Sequence, residues 1–379
     1  MVSEMVFDIG IQAIAYRLGG QLETGADLIR DNPDWKLAEI EAKTGVKTRH
    51  IAALSETAAD MAASAARDLF DRGINPAEVN ALIFVSQSPD YILPTTACLL
   101  QNRLGLKTSC MAFDINLGCS GFVHGLGVSI ALINSCLANK VLLLCGDTYT
   151  RYIGKNDRTC RPIFSDGAAA ALIARGNQVS SGPFVFGSDG SGGQNLIVKG
   201  SGARHEECQT PSSRSNLYMN GPQVFMFTMS SVPKVVSKIL EECGTRLEDV
   251  DLFIFHQASA LVLENIGRQL KLPSEKLYSN LENIGNTVSA TIPIALSNAV
   301  RDGRLHPGQT VLICGFGVGY SWAGALVRWG DVNDKTDQPN EARQVGVPHV
   351  ARVISAQDVL TENSLNICAS ISVLNKPGT

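Results

Sequence analysis

The chain has 379 residues, 45% hydrophobic and 18% charged, which is enough apolar material for a large buried core and excludes disorder as its overall state. A formal net charge of −4 gives no overall electrostatic reason to bind nucleic acid or an anionic membrane; 35 glycines with 6% aromatics favour α/β layers over a β-sandwich. No run approaches the roughly eighteen uncharged apolar residues of a membrane span, and no cationic stretch precedes an apolar one at the N-terminus, so a cytoplasmic protein is expected.

In chain order, the first strong element is a short β-type run, Val79–Phe84, after a helix and a turn containing Pro76. A small-residue turn, GCSG, then opens a helical stretch expected over Phe122–Ala138, and Val141–Gly146 (VLLLCG) forms the next strand. The pattern returns about 170 residues later, a spacing far beyond a solenoid period. Val250–Phe255 (VDLFIF) matches the first run, GNTVSAT opens a helix over Ile292–Val300, and Val311–Gly315 (VLICG) matches the second. Two pairs at one offset, with equivalent elements between them, indicate a duplicated α/β half. The expected organisation is residues 1–175 as the first half, 176–330 as the second, and 331–379 as a polar linker with a mobile C-terminal extension.

The ten cysteines include no CxxC pair and no Cys/His cluster at metal-ligand spacing, so no metal, cofactor or disulfide framework is expected. Cys98, Cys136, Cys145 and Cys314 read as buried small hydrophobes. Cys119 differs, because it stands between a strand and a helix start, where unpaired N–H groups and the helix dipole favour thiolate over thiol. It is therefore the candidate nucleophile, expected to be the one cysteine rapidly alkylated at neutral pH; the alternative is a buried cysteine in a tight turn. His256 ends an apolar strand as IFHQAS, where the crevices of α/β sheets lie, or it simply caps a loop. Asn286, beside Gly285, is a turn residue or an amide donor aimed at a substrate oxygen. The glycines of GFGVG, Gly315–Gly319, permit backbone N–H groups to point into a site, or form a plain turn. They lack the order of a dinucleotide fingerprint.

GCSGF, HQAS, GNTVSAT and GFGVGYSWAGALVRW, in this order and spacing, resemble the motifs of β-ketoacyl-[acyl carrier protein] synthase III within the thiolase superfamily. IFSDGAAAALI and TGVKTRHIA add to the resemblance, which runs from about residue 5 to 329. It implies the duplicated five-layer α-β-α-β-α thiolase fold and a homodimer acting on acyl-CoA or acyl carrier protein thioesters. By the same resemblance Cys119 is the acylated nucleophile, His256 and Asn286 stabilise the second substrate, and the backbone N–H groups of Cys119 and Val318 form the oxyanion hole. The implied substrate-binding positions are Leu93, Arg158, Phe164, Gly221, Phe225, Ser259 and Gly317. Leu93 corresponds to a dimer-contact position that limits the acyl tunnel, and leucine there leaves room for primers longer than acetyl.

The chain departs from the family pattern at Glu39, Lys43, Pro222, Ser259 and Leu261, all carrier-side positions. A decarboxylative condensing enzyme is the expectation. The alternatives are an acyltransferase forming an ester or amide, and a non-catalytic dimer partner; a hydroxymethylglutaryl-type synthase ranks below both, since its first-half loop offers only Asp90 as an acid.

Overall fold

The computed structural model describes residues 8–176, 179–204 and 216–330. Among these, two sheets carry the fold. The first contains β1 (Ile9–Leu18), β2 (Ala81–Val85), β3 (Met111–Ile115), β4 (Lys140–Asp147) and β5 (Gly167–Arg175), in the order β1-β5-β4-β2-β3. The second contains β6 (Ser180–Ser188), β7 (Leu252–Phe255), β8 (Thr310–Gly317) and β9 (Ser321–Arg328), in the order β7-β8-β9-β6. β2 runs parallel to β4 with Ile83 opposite Leu143; β7 runs parallel to β8 with Ile254 opposite Ile313. In each sheet the strand after this pair returns antiparallel. The matching registers are the duplication read from the sequence, now as geometry.

Both faces of these central strands are buried, which is why they read as unbroken apolar runs rather than alternating ones. Ile83, Val85 and Leu143 pack inward with Ile254 and Ile313 of the other sheet, while Leu82, Phe84, Leu142 and Leu144 pack on the opposite face. Helices α1 (Ala58–Asp71), α2 (Gly121–Asn134), α3 (Gly221–Cys243), α4 (Ala260–Leu270) and α5 (Thr291–Arg301) supply the other layers. α1 covers the outside of the first sheet, using a face of small residues, Ala59, Ala62 and Ala66, that lets helix and sheet approach closely. Its start is fixed by a capping box in which Thr57 accepts from the Asp60 amide and Asp60 from the Thr57 amide. α2 and α5 share the central layer: Phe122, Leu126 and Ile130 join Ile292, Ala295 and Leu296 between the sheets. α3 and α4 cover the outside of the second sheet through Val232, Val236, Leu263 and Ile266. Five layers result. Cutting Ile313 to alanine at the centre would cost about 2–5 kcal/mol.

Two expectations need correction. The helix read as Phe122–Ala138 begins at Gly121 and stops at Asn134, because Cys136 adopts a φ of 58° and the amides of Leu137 and Ala138 turn back to the Leu132 carbonyl. Cys145 and Cys314 are buried as read, whereas Cys98 and Cys136 are exposed: Cys98 lies on the outer side of helix Thr96–Arg103 and Cys136 in the turn just described. The extension at 331–379 lies outside the described residues. No helix among the described residues is long and apolar enough to cross a membrane.

Candidate active site

The ends of the parallel strands place the chemistry. β3 runs toward the loop carrying Cys119, two residues ahead of α2. β7 ends at Phe255, so His256 is the first residue beyond the sheet. Asn286 lies in the turn before α5, and its backbone is held on both sides by a first-half segment: its amide donates to the Ile163 carbonyl at 2.9 Å, and its carbonyl accepts from the Ser165 amide at 2.8 Å. The IFSDG motif therefore serves to anchor Asn286. All three side chains line one cavity of about 730 Å³.

Cys119 is buried, and its thiol is pushed up to about 12, first by burial and then by the nearby charge of Asp147. The expected thiolate at a helix start is thereby corrected. The helix begins only at Gly121, with Ser120 as its cap residue, so the sulfur lies outside the first turn. Two backbone donors do act on the sulfur and favour its charged form, the N–H groups of Val318 and of Cys119 itself. Gly317 makes their convergence possible, since a Cβ there would stand 2.8 Å from the Cys119 sulfur. The GFGVG segment is thus more than a turn; its end closes on the nucleophile.

His256 is held neutral. Burial pulls its imidazole down to about 3, so it carries no charge at working pH. Its Nδ1 faces the Thr291 hydroxyl at 2.7 Å, and that hydroxyl also reaches the Val288 carbonyl at 3.0 Å. Thr291 has one proton to give: turned to Val288 it leaves Nδ1 as the donor, turned to Nδ1 it leaves Nε2 protonated. Asn286 is oriented by its own backbone, its Oδ1 accepting from the Val288 amide at 2.9 Å, so its NH₂ points to His256 Nε2 at 3.4 Å and to the Ala258 carbonyl. Phe316 packs edge-on against the His256 ring. With the Thr291 hydroxyl turned to Nδ1, the Nε2–H of His256 and the NH₂ of Asn286 are two neutral donors side by side at the cavity lining.

The remaining sequence candidates divide. Arg158, Phe164, Gly221, Phe225, Ser259 and Gly317 all line the cavity, as do the departures Glu39, Lys43, Pro222 and Leu261. The Ser259 hydroxyl is engaged as the cap of α4, accepting from the Val262 amide. Leu93 is not brought to the cavity; it stands 80% exposed beside Tyr91 and Ile92. Sequence reasoning missed Thr291, Phe316, Ser289 and Asp147. The signal for Asp147 was a charged residue closing a buried strand, VLLLCGD. Among the described residues no group of three or more His, Cys, Asp or Glu is placed to hold a metal ion.

Comparison with known proteins agrees with this geometry. A family model described as 3-oxoacyl-[acyl-carrier-protein (ACP)] synthase III matches residues 113–190, and one described as the C-terminal part of the same family matches residues 240–329. A β-ketoacyl-[acyl-carrier-protein] synthase III of Methylococcus capsulatus is 36% identical over 313 residues, covering 82% of this chain and 95% of the relative. A crystal structure of a 3-oxoacyl-(acyl-carrier-protein) synthase III superimposes with a TM-score of 0.80 at 41% identity, covering 85% of this chain and 99% of that one. The crystal structure of a 3-oxoacyl-(acyl-carrier protein) synthase from Burkholderia xenovorans gives a TM-score of 0.80 at 33% identity, over 86% of this chain and 95% of that one. Fold and site define a condensing enzyme of the thiolase superfamily. The chain belongs to the 3-oxoacyl-[acyl-carrier-protein] synthase III family, and it is an acyltransferase of that kind.

Proposed function

We propose that Cys119 takes an acyl group from a CoA or acyl carrier protein thioester, and that His256 and Asn286 then hold the enolate of a decarboxylating malonyl thioester while it attacks the acyl group. In the first step the Cys119 sulfur bonds to the thioester carbonyl carbon, the oxyanion rests on the N–H groups of Cys119 and Val318, and the carrier thiolate leaves with the proton. In the second, the malonyl carbon–carboxylate bond breaks and carbon dioxide departs. The resulting carbanion bonds to the acyl carbon, and the Cys119 sulfur is released as the β-ketoacyl product forms. One observation carries this reading: a sulfur with two backbone N–H donors, a neutral imidazole and an amide NH₂ all line one cavity. Neutral donors suit an enolate oxygen because they stabilise it without protonating it.

Intact-mass analysis after exposure to a panel of acyl-CoA and acyl carrier protein thioesters tests the first step and identifies the carrier. A single acyl addition that disappears in Cys119→Ser is expected. For the second step, His256→Ala and Asn286→Ala are expected to retain acyl transfer and lose carbon dioxide release by about 100-fold or more. Failure of both folded variants to acylate would refute the division of roles.

The same reading includes a cytoplasmic homodimer. Strand β3 is a sheet edge, and near it Tyr91, Ile92, Leu93, Leu99 and Met111 are exposed apolar side chains, a combination that suits pairing with a second copy. Light scattering at micromolar concentration is expected to give twice the chain mass. With Leu93 on that face, acylation profiles of wild type and Leu93→Trp across chain lengths test whether it limits the acyl end.

A further inference from the structure

Asp147 closes β4 with no exposed surface and has no ion-pair partner among the described residues. Its carboxylate is nevertheless saturated. One oxygen accepts from the Gln87 amide at 2.8 Å, with the Ser86 and Ser88 hydroxyls at 3.5 and 3.4 Å. The other accepts from both the amide and the hydroxyl of Ser289, at 3.1 and 2.6 Å. These donors belong to different halves of the fold. Gln87 lies under the nucleophile loop, where its side-chain oxygen would meet a Cβ on Gly118 at 2.4 Å, and it accepts from the Tyr149 hydroxyl. Ser289 lies between Asn286 and Thr291, the residues that set the second donor and the His256 ring.

We propose that Asp147 is a positioning residue for the condensation, its carboxylate clamping the Asn286–Thr291 segment to the nucleophile loop so that the enolate-binding pair keeps a fixed place in the cavity that Cys119 lines. The inference rests on the function proposed above. A carboxylate is needed because each oxygen faces a backbone N–H, and an amide in either orientation would turn an NH₂ against one of them. Its charge reaches three buried titratable groups, Cys119, Cys145 on its own strand and Tyr149, and raises all of them. Burial lifts the carboxyl itself to about 7 against the pull of Ser289 and Gln87.

Single-turnover acyl transfer and carbon dioxide release in Asp147→Asn and Ser289→Ala test the clamp, together with the pH dependence of Cys119 labelling by iodoacetamide. Ser289→Ala keeps the carboxyl group and loses one charge-assisted hydrogen bond, so carbon dioxide release should fall about 10-fold while acyl transfer stays. Asp147→Asn should lower carbon dioxide release further and move the rise of Cys119 labelling to lower pH. Equal loss of both steps in Ser289→Ala, or an unmoved labelling profile in folded Asp147→Asn, would overturn the proposal. If Asp147→Asn does not fold, the split in Ser289→Ala decides alone. Absence of carbon dioxide release in the wild type would refute the proposed function instead, and the labelling arm, which needs no malonyl thioester, would still test Asp147.

Discussion

The Nδ1 atom of His256 lies 2.7 Å from the Thr291 hydroxyl, a neutral partner where many catalytic histidines face a carboxylate. With no anion to favour it, an imidazolium is not stabilised there. Thr291→Val keeps the shape and leaves a buried ring nitrogen without a partner, which costs about 1–3 kcal/mol. Carbon dioxide release should fall about 10–100-fold with acyl transfer retained, as read by single-turnover assays of the two steps.

A methyl group at residue 317 provides a steric test. In Gly317→Ala the new Cβ would stand 2.8 Å from both the sulfur and the Cβ of Cys119, and no other heavy atom lies close to it. Displacement of the nucleophile should lower acylation about 100-fold or more, with little change in melting temperature. Intact-mass time courses and thermal melts check the pair.

Alkylation should follow burial before identity. Cys98 and Cys136 are exposed and should be modified first by iodoacetamide, while Cys119, buried and pushed up to about 12, lags at neutral pH. Its thiolate fraction, and so its labelling rate, should climb about tenfold per pH unit between pH 7 and 9. Peptide mapping over that range reads both expectations.

His256 also links stability to pH. Its folded value of about 3 lies below the ordinary 6.5, so the unfolded chain takes up the proton first. The stability it contributes is present above pH 6.5 and is lost as pH falls from 6.5 toward 3. Between pH 6.5 and 5 the loss is about 2 kcal/mol, and His256→Asn removes it. The wild-type melting temperature should therefore drop more from pH 7 to 5 than that of the variant.

Much of this architecture was legible in the chain, for identifiable reasons. Central strands buried on both faces must be continuously apolar, so Val79–Phe84 and Val250–Phe255 stood out and their common offset exposed the duplication. Cys119, His256 and Asn286 were marked by neighbours whose size or place the chemistry constrains. The state of the thiol was not legible, because desolvation depends on the layers that close over Cys119, and those come from both halves. Asp147 and Thr291 escaped notice because their partners lie 142 and 35 residues away in sequence. Leu93 falls on an outward loop, and a single chain gives it nothing to line.

The matching registers also give the strand ends at the site counterparts in the other half. The offset relating Leu143 to Ile313 carries Cys119 onto Ser289 and Asp147 onto Gly317. Each pair sits at a helix start facing a strand end, α2 with β8 in one case and α5 with β4 in the other. One copy of the arrangement holds a sulfur opposite a residue with no side chain, and the space left over admits a substrate. In the other, a hydroxyl and a carboxylate fill that space and bind each other, so nothing can enter. At these positions the two halves match in backbone and differ in occupancy: one holds the Cys119 sulfur beside Gly317, and its counterpart holds the hydrogen bond between Ser289 and Asp147.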